Sequence, residues 1–277
     1  MLAENCAPEE IAPCLAMNES HVIRAVREEL GMDIQTVEEA QNALDHSRYA
    51  RFDRLINARF TDEKLIALLN CFEKREDAEI RRAVSDNADI PTIFEYVLGI
   101  LWYKVSERKG KILDYMKLSL DADLLPKTHA AGGEADIVYE YEKTPFYPAH
   151  TLLLEATLAD GSNQRRMEME PVSRHLGQHL IRNGEHSAYC LFATTDLNIN
   201  VISDFRGRKF MPYYDSQDFS KYVMGMKILP LQTSDLKNIL LQGWTYKKLY
   251  ALFEEAHASL LPPHIWYQEC LSSLLEH

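Results

Sequence analysis

Apolar and polar positions change rhythm along this chain, and the changes divide it. Residues 1–60 read in helical spacing. SHVIRAVREEL gathers its apolar residues on one face, with Asn18 or Ser20 at the cap and Gly31 at the stop. DIQTVEEAQNAL and SRYARFDRLINARF continue that pattern. TDEKLIALLNCFEKRED predicts an amphipathic helix with Thr61 at its cap, acids in the first turn and bases late. Pro91 suits the first turn of another helix, PTIFEYVLGILWYKVSERKG, stopped by Gly110. This one is apolar nearly all round and should be buried. KILDYMKLSLDADLLPKTHAAGG predicts an irregular, partly buried loop.

Past Gly132 the period shifts towards two. ADIVYEY alternates β-branched and aromatic residues as a strand does, and TLLLEATL follows after the turn-rich KTPFYPAH. The loop ADGSN leads into the helically spaced QRRMEMEPVSRHL. SAYCLFATT and MKILPLQT predict two more buried strands. Helices SDLKNILLQG and WTYKKLYALFEEAHAS and an amphipathic C-terminal segment close the chain. The expectation is a helical extension or linker over 1–60 and an α/β domain over 61–277, its mixed sheet flanked by helices.

Each of the first two strands carries a carboxylate, Asp136 and Glu155. Two strands that bring acidic side chains together suit a hard cation with oxygen ligands, and the following helix adds Glu168, Glu170 and His175. Glu168 and His175 lie seven residues apart, about two turns, and Gln164 shares their stripe. Helical phase ranks Glu168 ahead of Glu170. Glu95 interrupts the buried helix; read from pattern alone, it either faces an exposed strip or a neighbouring arginine, or points at the cation. Lys127 precedes two glycines that let backbone pass close to another body; a plain surface loop explains it equally. Arg165, Arg166 and Arg174 either contact phosphates or pair with local acids, and Arg206, Arg208 and Lys209 are either phosphate contacts or solvated charges.

An Asp at one strand followed by (D/E)-x-K on the next marks the PD-(D/E)XK nucleases; here Glu155-Ala156-Thr157 lacks the lysine. GGEADIVYEY, LLLEATL and QRRMEMEPVSRHL resemble the cleavage domains of type IIS restriction endonucleases of the AlwI family and of related strand-nicking enzymes. DNADIPTIFEYVLGILWY upstream and CLFATTDLNINVISDFRGRK downstream extend the resemblance over roughly Phe72 to Lys209. It implies a restriction-endonuclease-like fold that hydrolyses phosphodiesters of double-stranded DNA with Mg²⁺. Asp136, Glu155 and the Ala156 carbonyl would be ligands, with Glu95, Glu168 and His175 as further catalytic residues. Lys127, Gln164, Arg165 and Arg174 would contact DNA. Thr157 cannot be cationic, so Glu168 and His175 are expected to replace the lysine, and a change at Thr157 should be mild. One such site cuts one strand, so a duplex cut needs a second cleavage domain in a homodimer or a recognition-bearing subunit. A non-catalytic or dimerisation subunit and a repair-type nuclease are the competing readings.

Composition changes this picture in one respect. The formal charge is −12, and residues 1–90 alone hold 19 acids against 11 bases. Duplex binding draws on neutralised phosphates, so the chain is expected to hold DNA weakly by itself. Five scattered cysteines without a C-x-x-C pair fit a reducing cytoplasm better than a disulfide frame or a structural zinc. MLAENCAPEEIAP lacks the features of a signal peptide, and no run of about 18 apolar residues predicts a membrane span.

Overall fold

In the computed structural model, residues 19–129, 133–184 and 187–275 are described. Asn18 and Gly132, both singled out above, lie outside them. The chain divides into two units, Met1–Ala58 and Arg59–His277.

The first unit shows why its sequence reads as helices. In α1 (Glu19–Leu30), Val26 packs with Ile34 and with Ala40 of α2 (Val37–Arg59). Gly31, at φ +65°, turns the chain between them, a backbone region that costs glycine little. Arg27 donates to the Ile34 carbonyl and fixes that turn. From Val37 on, the two segments DIQTVEEAQNAL and SRYARFDRLINARF form one continuous helix, ending at Arg59.

In the second unit, α3 (Asp62–Lys74) starts at Thr61 and α4 (Asp77–Ala83) follows. The apolar helix is α5 (Ile90–Val105), buried along nearly its whole length, with Asp89 accepting from the Thr92 amide at 2.9 Å. It ends before Gly110, because Glu107 and Arg108 take left-handed φ values of 56° and 58°. The following stretch is more ordered than its sequence predicts. It holds α6 (Ile112–Tyr115) and a small ladder of β1 (Ser119–Leu120) with β2 (Pro126–Thr128).

Four strands make the main sheet: β3 (Ile137–Tyr141), β4 (His150–Thr157), β5 (Tyr189–Thr194) and β8 (Ile228–Gln232), in the order β3-β4-β5-β8. β3 runs antiparallel to β4, whereas β4, β5 and β8 are parallel, so the sheet is mixed. Between β5 and β8 lie α8 (Ile199–Gly207) and a hairpin of β6 (Tyr213–Tyr214) with β7 (Tyr222–Val223), which the sequence reading missed. α7 (Gly161–Asn183) connects β4 to the parallel β5. On that face Leu153, Cys190 and Phe192 form a core with Val172, Leu176 and Leu180 of α7 and Phe205 of α8. Toward the C-terminus, α9 (Thr233–Leu241) and α10 (Tyr246–Ala258) are followed by helical turns from Pro263 to Leu275.

α5 packs against β4 and β2, and side chains of Met116 and of Ile137 on β3 close over its Gly99. A Cβ on Gly99 would meet Met116 Sδ at 2.6 Å and Ile137 Cδ1 at 3.2 Å, so a larger residue there would have to displace both side chains. Glu95 is one turn earlier on the same helical face. The packing that seats Ile137 against Gly99 therefore brings Glu95 towards Asp136. No helix among the described residues is long and apolar enough to cross a membrane.

Candidate active site

The period of a strand decides what β4 presents. Leu153 faces α7, so Glu155 and Thr157, two and four residues on, face it too. The β3–β4 ladder ends at the pair Ile137–Leu154. Beyond it the Ala156 amide has no strand partner on that edge and donates instead to Asp136 Oδ2 at 2.8 Å. Asp136 stands one residue before β3, and its carboxylate caps the open end of the ladder.

α7 meets both outward residues of β4. Glu155 Oε1 lies 2.7 Å from His175 Nδ1. Thr157 Oγ1 donates to Glu168 Oε1 at 2.7 Å and accepts from the Ala159 amide at 3.1 Å. The seven-residue spacing thus matches the two-residue spacing along the strand. Glu170 is exposed and bonds Arg174 at 3.1 Å, so helical phase separates it from Glu168 as expected.

Buried like charges dominate the electrostatics. Burial first, then the charges of Asp136, Asp89 and Glu155, push the Glu95 carboxyl up to about 9. Burial and Glu155 raise Asp136 well above the usual carboxylate range, against the pull of the Ala156 amide. Glu155 rises by burial and the charge of Glu168, and Glu168 rises by burial, opposed by the Thr157 hydroxyl. His175 is held below its ordinary value by burial and by Arg174. Among the described residues, Glu95 Oε2 and His175 Nε2 are buried without a hydrogen-bond partner. Asp89 escaped the sequence reading because it reads as a helix cap, which it also is.

Other expected contacts resolve differently. Gln164 shares the helix stripe but is fully buried. Its amide reaches Ala159 O, Thr194 Oγ1 and Asp196 O, and its oxygen accepts from the Asn198 amide at 2.9 Å. It ties two loops together and offers nothing to DNA, which corrects the sequence expectation. Arg206 is likewise spent: it donates to His257 O and Ser259 O and stacks on Trp266. Lys209 bonds the His257 carbonyl, and Arg208 pairs with Asp204. Arg165 and Arg166 are exposed, Arg174 is half-buried, and Lys127 is exposed on the separate β1–β2 ladder.

Two openings reach the cluster. A groove of about 630 Å³ is lined by Arg75, Pro91, Ala156, Thr157, Asn163 and Met167. A smaller cleft of about 300 Å³ is lined by Lys117, Glu134, His175, Gln178, His179 and Arg182. The donor set, carboxylate oxygens with one carboxylate atom left unpartnered, has the chemistry of a hard-cation site. Among the described residues no three His, Cys, Asp or Glu side chains are yet set around one point that would hold an ion. Asp136 is turned to the Ala156 amide, so the carboxylates would have to swing together.

Comparison with known proteins agrees with this architecture. No curated protein matches the chain. The small subunit (R.BspD6I2) of the heterodimeric restriction endonuclease R.BspD6I has a similar fold, with a TM-score of 0.53 at 20% identity, covering 74% of this chain and 96% of that one. The fold is therefore of the restriction-endonuclease type. The model of the AlwI restriction endonuclease family matches residues 9–239, and the chain belongs to that family.

Proposed function

We propose that this protein is a Mg²⁺-dependent endonuclease that hydrolyses phosphodiesters of double-stranded DNA, as the cleavage domain or subunit of a type IIS restriction system. The observation that supports this reading is that Asp136 stands beside Ala156 at the open end of the β3–β4 ladder, while Glu155 and Thr157 of β4 bond His175 and Glu168 of one helix. Asp136 and Glu155 would hold the cation. A residue's N–H and C=O leave an extended strand on the same edge, so the Ala156 carbonyl faces Asp136 and can join them. A divalent cation held there would supply charge neutralisation and a more acidic water.

The chain's own groups supply the proton chemistry. With a proton on Nδ1, His175 donates to Glu155 and leaves the Nε2 lone pair free to accept a proton or orient water. Burial, and after it Arg174, favour the neutral imidazole. Glu95 approaches from α5 with one oxygen unbonded, a reserve acceptor beside Asp136. The groove beside Ala156 and Thr157 gives a strand room to approach, with Arg165 and Arg174 on α7 and Lys127 on β2 as proposed phosphate contacts.

One site of this kind cuts one strand. The similar structure is a subunit of a heterodimeric restriction endonuclease. By that parallel this chain would act with a recognition-bearing subunit, or as a homodimer of cleavage domains. A second reading, a docking subunit without chemistry of its own, draws on the carboxylates not yet converging. Supercoiled plasmid separates the two. The nuclease reading expects open circles with Mg²⁺ and none with Asp136→Asn. Unchanged plasmid across Mg²⁺ and Mn²⁺, together with no cation uptake by calorimetry, would overturn it.

A further inference from the structure

We infer that Thr157, at the strand position where the related nuclease motif has lysine, is a positioning residue that fixes the carboxylate of Glu168. The inference rests on the nuclease reading and adds a role to a residue that the sequence treats as inert.

The geometry assigns the hydroxyl only one orientation. A threonine hydroxyl has one proton to give and lone pairs to accept with. Here the Ala159 amide donates to Oγ1 at 3.1 Å, as Thr and Ser side chains often arrange two residues on. The hydroxyl proton is then left for Glu168 Oε1, at 2.7 Å. That leaves Oε2 as the carboxylate atom free for a cation, a water or a substrate. A turn at the end of β4 thus dictates how a side chain on α7 is presented.

The strand register makes this specific. Glu155 and Thr157 face the same helix, and each meets one of its site residues. Two side-chain bonds hold the carboxylate of the strand and the carboxylate of the helix in fixed relation. A lysine at this position would bring a positive charge to the site. Threonine brings no charge and instead fixes an acid in place. A merely structural threonine would cap the strand end through Ala159 and have no stake in Glu168.

A mutant cycle distinguishes these roles. Single-turnover nicking is followed for the wild type, Thr157→Ser, Thr157→Val, Glu168→Ala and Thr157→Val/Glu168→Ala, with folding checked by circular dichroism. Thr157→Ser keeps the hydroxyl and should stay within about threefold of the wild type. Thr157→Val keeps the shape and loses the bond; a hydrogen bond to a carboxylate converts to a loss on the order of 10- to 100-fold. In the Glu168→Ala background the same change should be silent, because a residue acting through another has nothing left to act on. An equal penalty in both backgrounds would overturn the inference, as would Thr157→Ser as slow as Thr157→Val. If the wild type neither nicks plasmid nor takes up a cation, the nuclease reading fails. The crystal structure of Thr157→Val then decides this inference alone: Glu168 displaced supports it, Glu168 unmoved refutes it.

Discussion

Glu95 brings a carboxyl into an apolar helix and leaves one of its oxygens unbonded, and this has a measurable price in pH dependence. Its folded value, about 9, lies above the 4.5 of the free side chain. The folded state therefore holds a proton that the unfolded chain releases between those values. Stability from this group is fully present below about 4.5 and is lost as the pH rises through about 9. Asp136, Glu155 and Glu168 shift in the same direction. The metal-free protein should accordingly melt lower at pH 9 than at pH 6. Glu95→Gln should flatten that slope, as thermal scans across the range would show. Asp136 calls for a different substitution. Asp136→Asn keeps an acceptor for the Ala156 amide and relieves repulsion, so the melting temperature should hold or rise while nicking is lost. Asp136→Ala leaves that amide without its acceptor and should cost about 1–2 kcal/mol in denaturant titration. Asp136 and Glu155 stood out in sequence because one lies at the start of a strand run and the other inside one. The Thr157–Glu168 bond did not, because a hydroxyl's partner depends on which helix crosses the strand.

At the scale of elements, the site is a matter of how α5 and α7 sit on one sheet. The stripe of Gln164, Glu168 and His175 was readable from helical phase, since residues on one face stay together whatever they meet. What each meets was not readable. Gln164 looked like a polar group aimed at a ligand, yet it bridges the Ala159 and Asp196 loops from full burial. Gln164→Ala should leave buried donors and acceptors unpaired and lower stability by about 2–4 kcal/mol, with any loss of nicking following the loss of fold. Circular dichroism against urea would check it. The packing of α5 makes the complementary prediction. Gly99→Val places branched carbons where Met116 and Ile137 now sit. Those side chains or the helix must shift, and Glu95 should draw away from Asp136. The pH slope assigned to Glu95 should weaken with it. Sequence could place Glu95 in a buried helix. Only the missing Cβ at Gly99, on the same face, shows which neighbour the helix approaches.

For the molecule as a whole, charge and fold give different messages. The fold belongs with restriction endonucleases, and the net charge of −12 repels DNA. Part of that charge is less than formal, because burial keeps carboxyls such as Glu95 protonated at neutral pH. Several cations are also engaged within the protein, Arg206 and Lys209 among them. Binding of the isolated chain to duplexes should be weak and independent of sequence, and should fall steeply with salt. Fluorescence anisotropy on varied duplexes would check this; nanomolar, sequence-selective binding at physiological salt would show a recognition surface in the chain itself. The alternation of periods predicted the mixed sheet and its helices well. The β6–β7 hairpin and the small β1–β2 ladder stayed hidden, because strands of two or three residues are too short to show a period.

The cap that Asp136 places on the end of β4 turns one backbone proton into a gauge of the site. The Ala156 amide has a carboxylate, and no strand, as its acceptor. Its exchange with deuterated solvent therefore reports the occupation of that carboxylate rather than the opening of the sheet. When a cation draws Asp136 away, this amide should exchange faster while Leu152, inside the ladder, keeps its protection. Loading of the site can thus be followed at a single nitrogen, without DNA and without turnover.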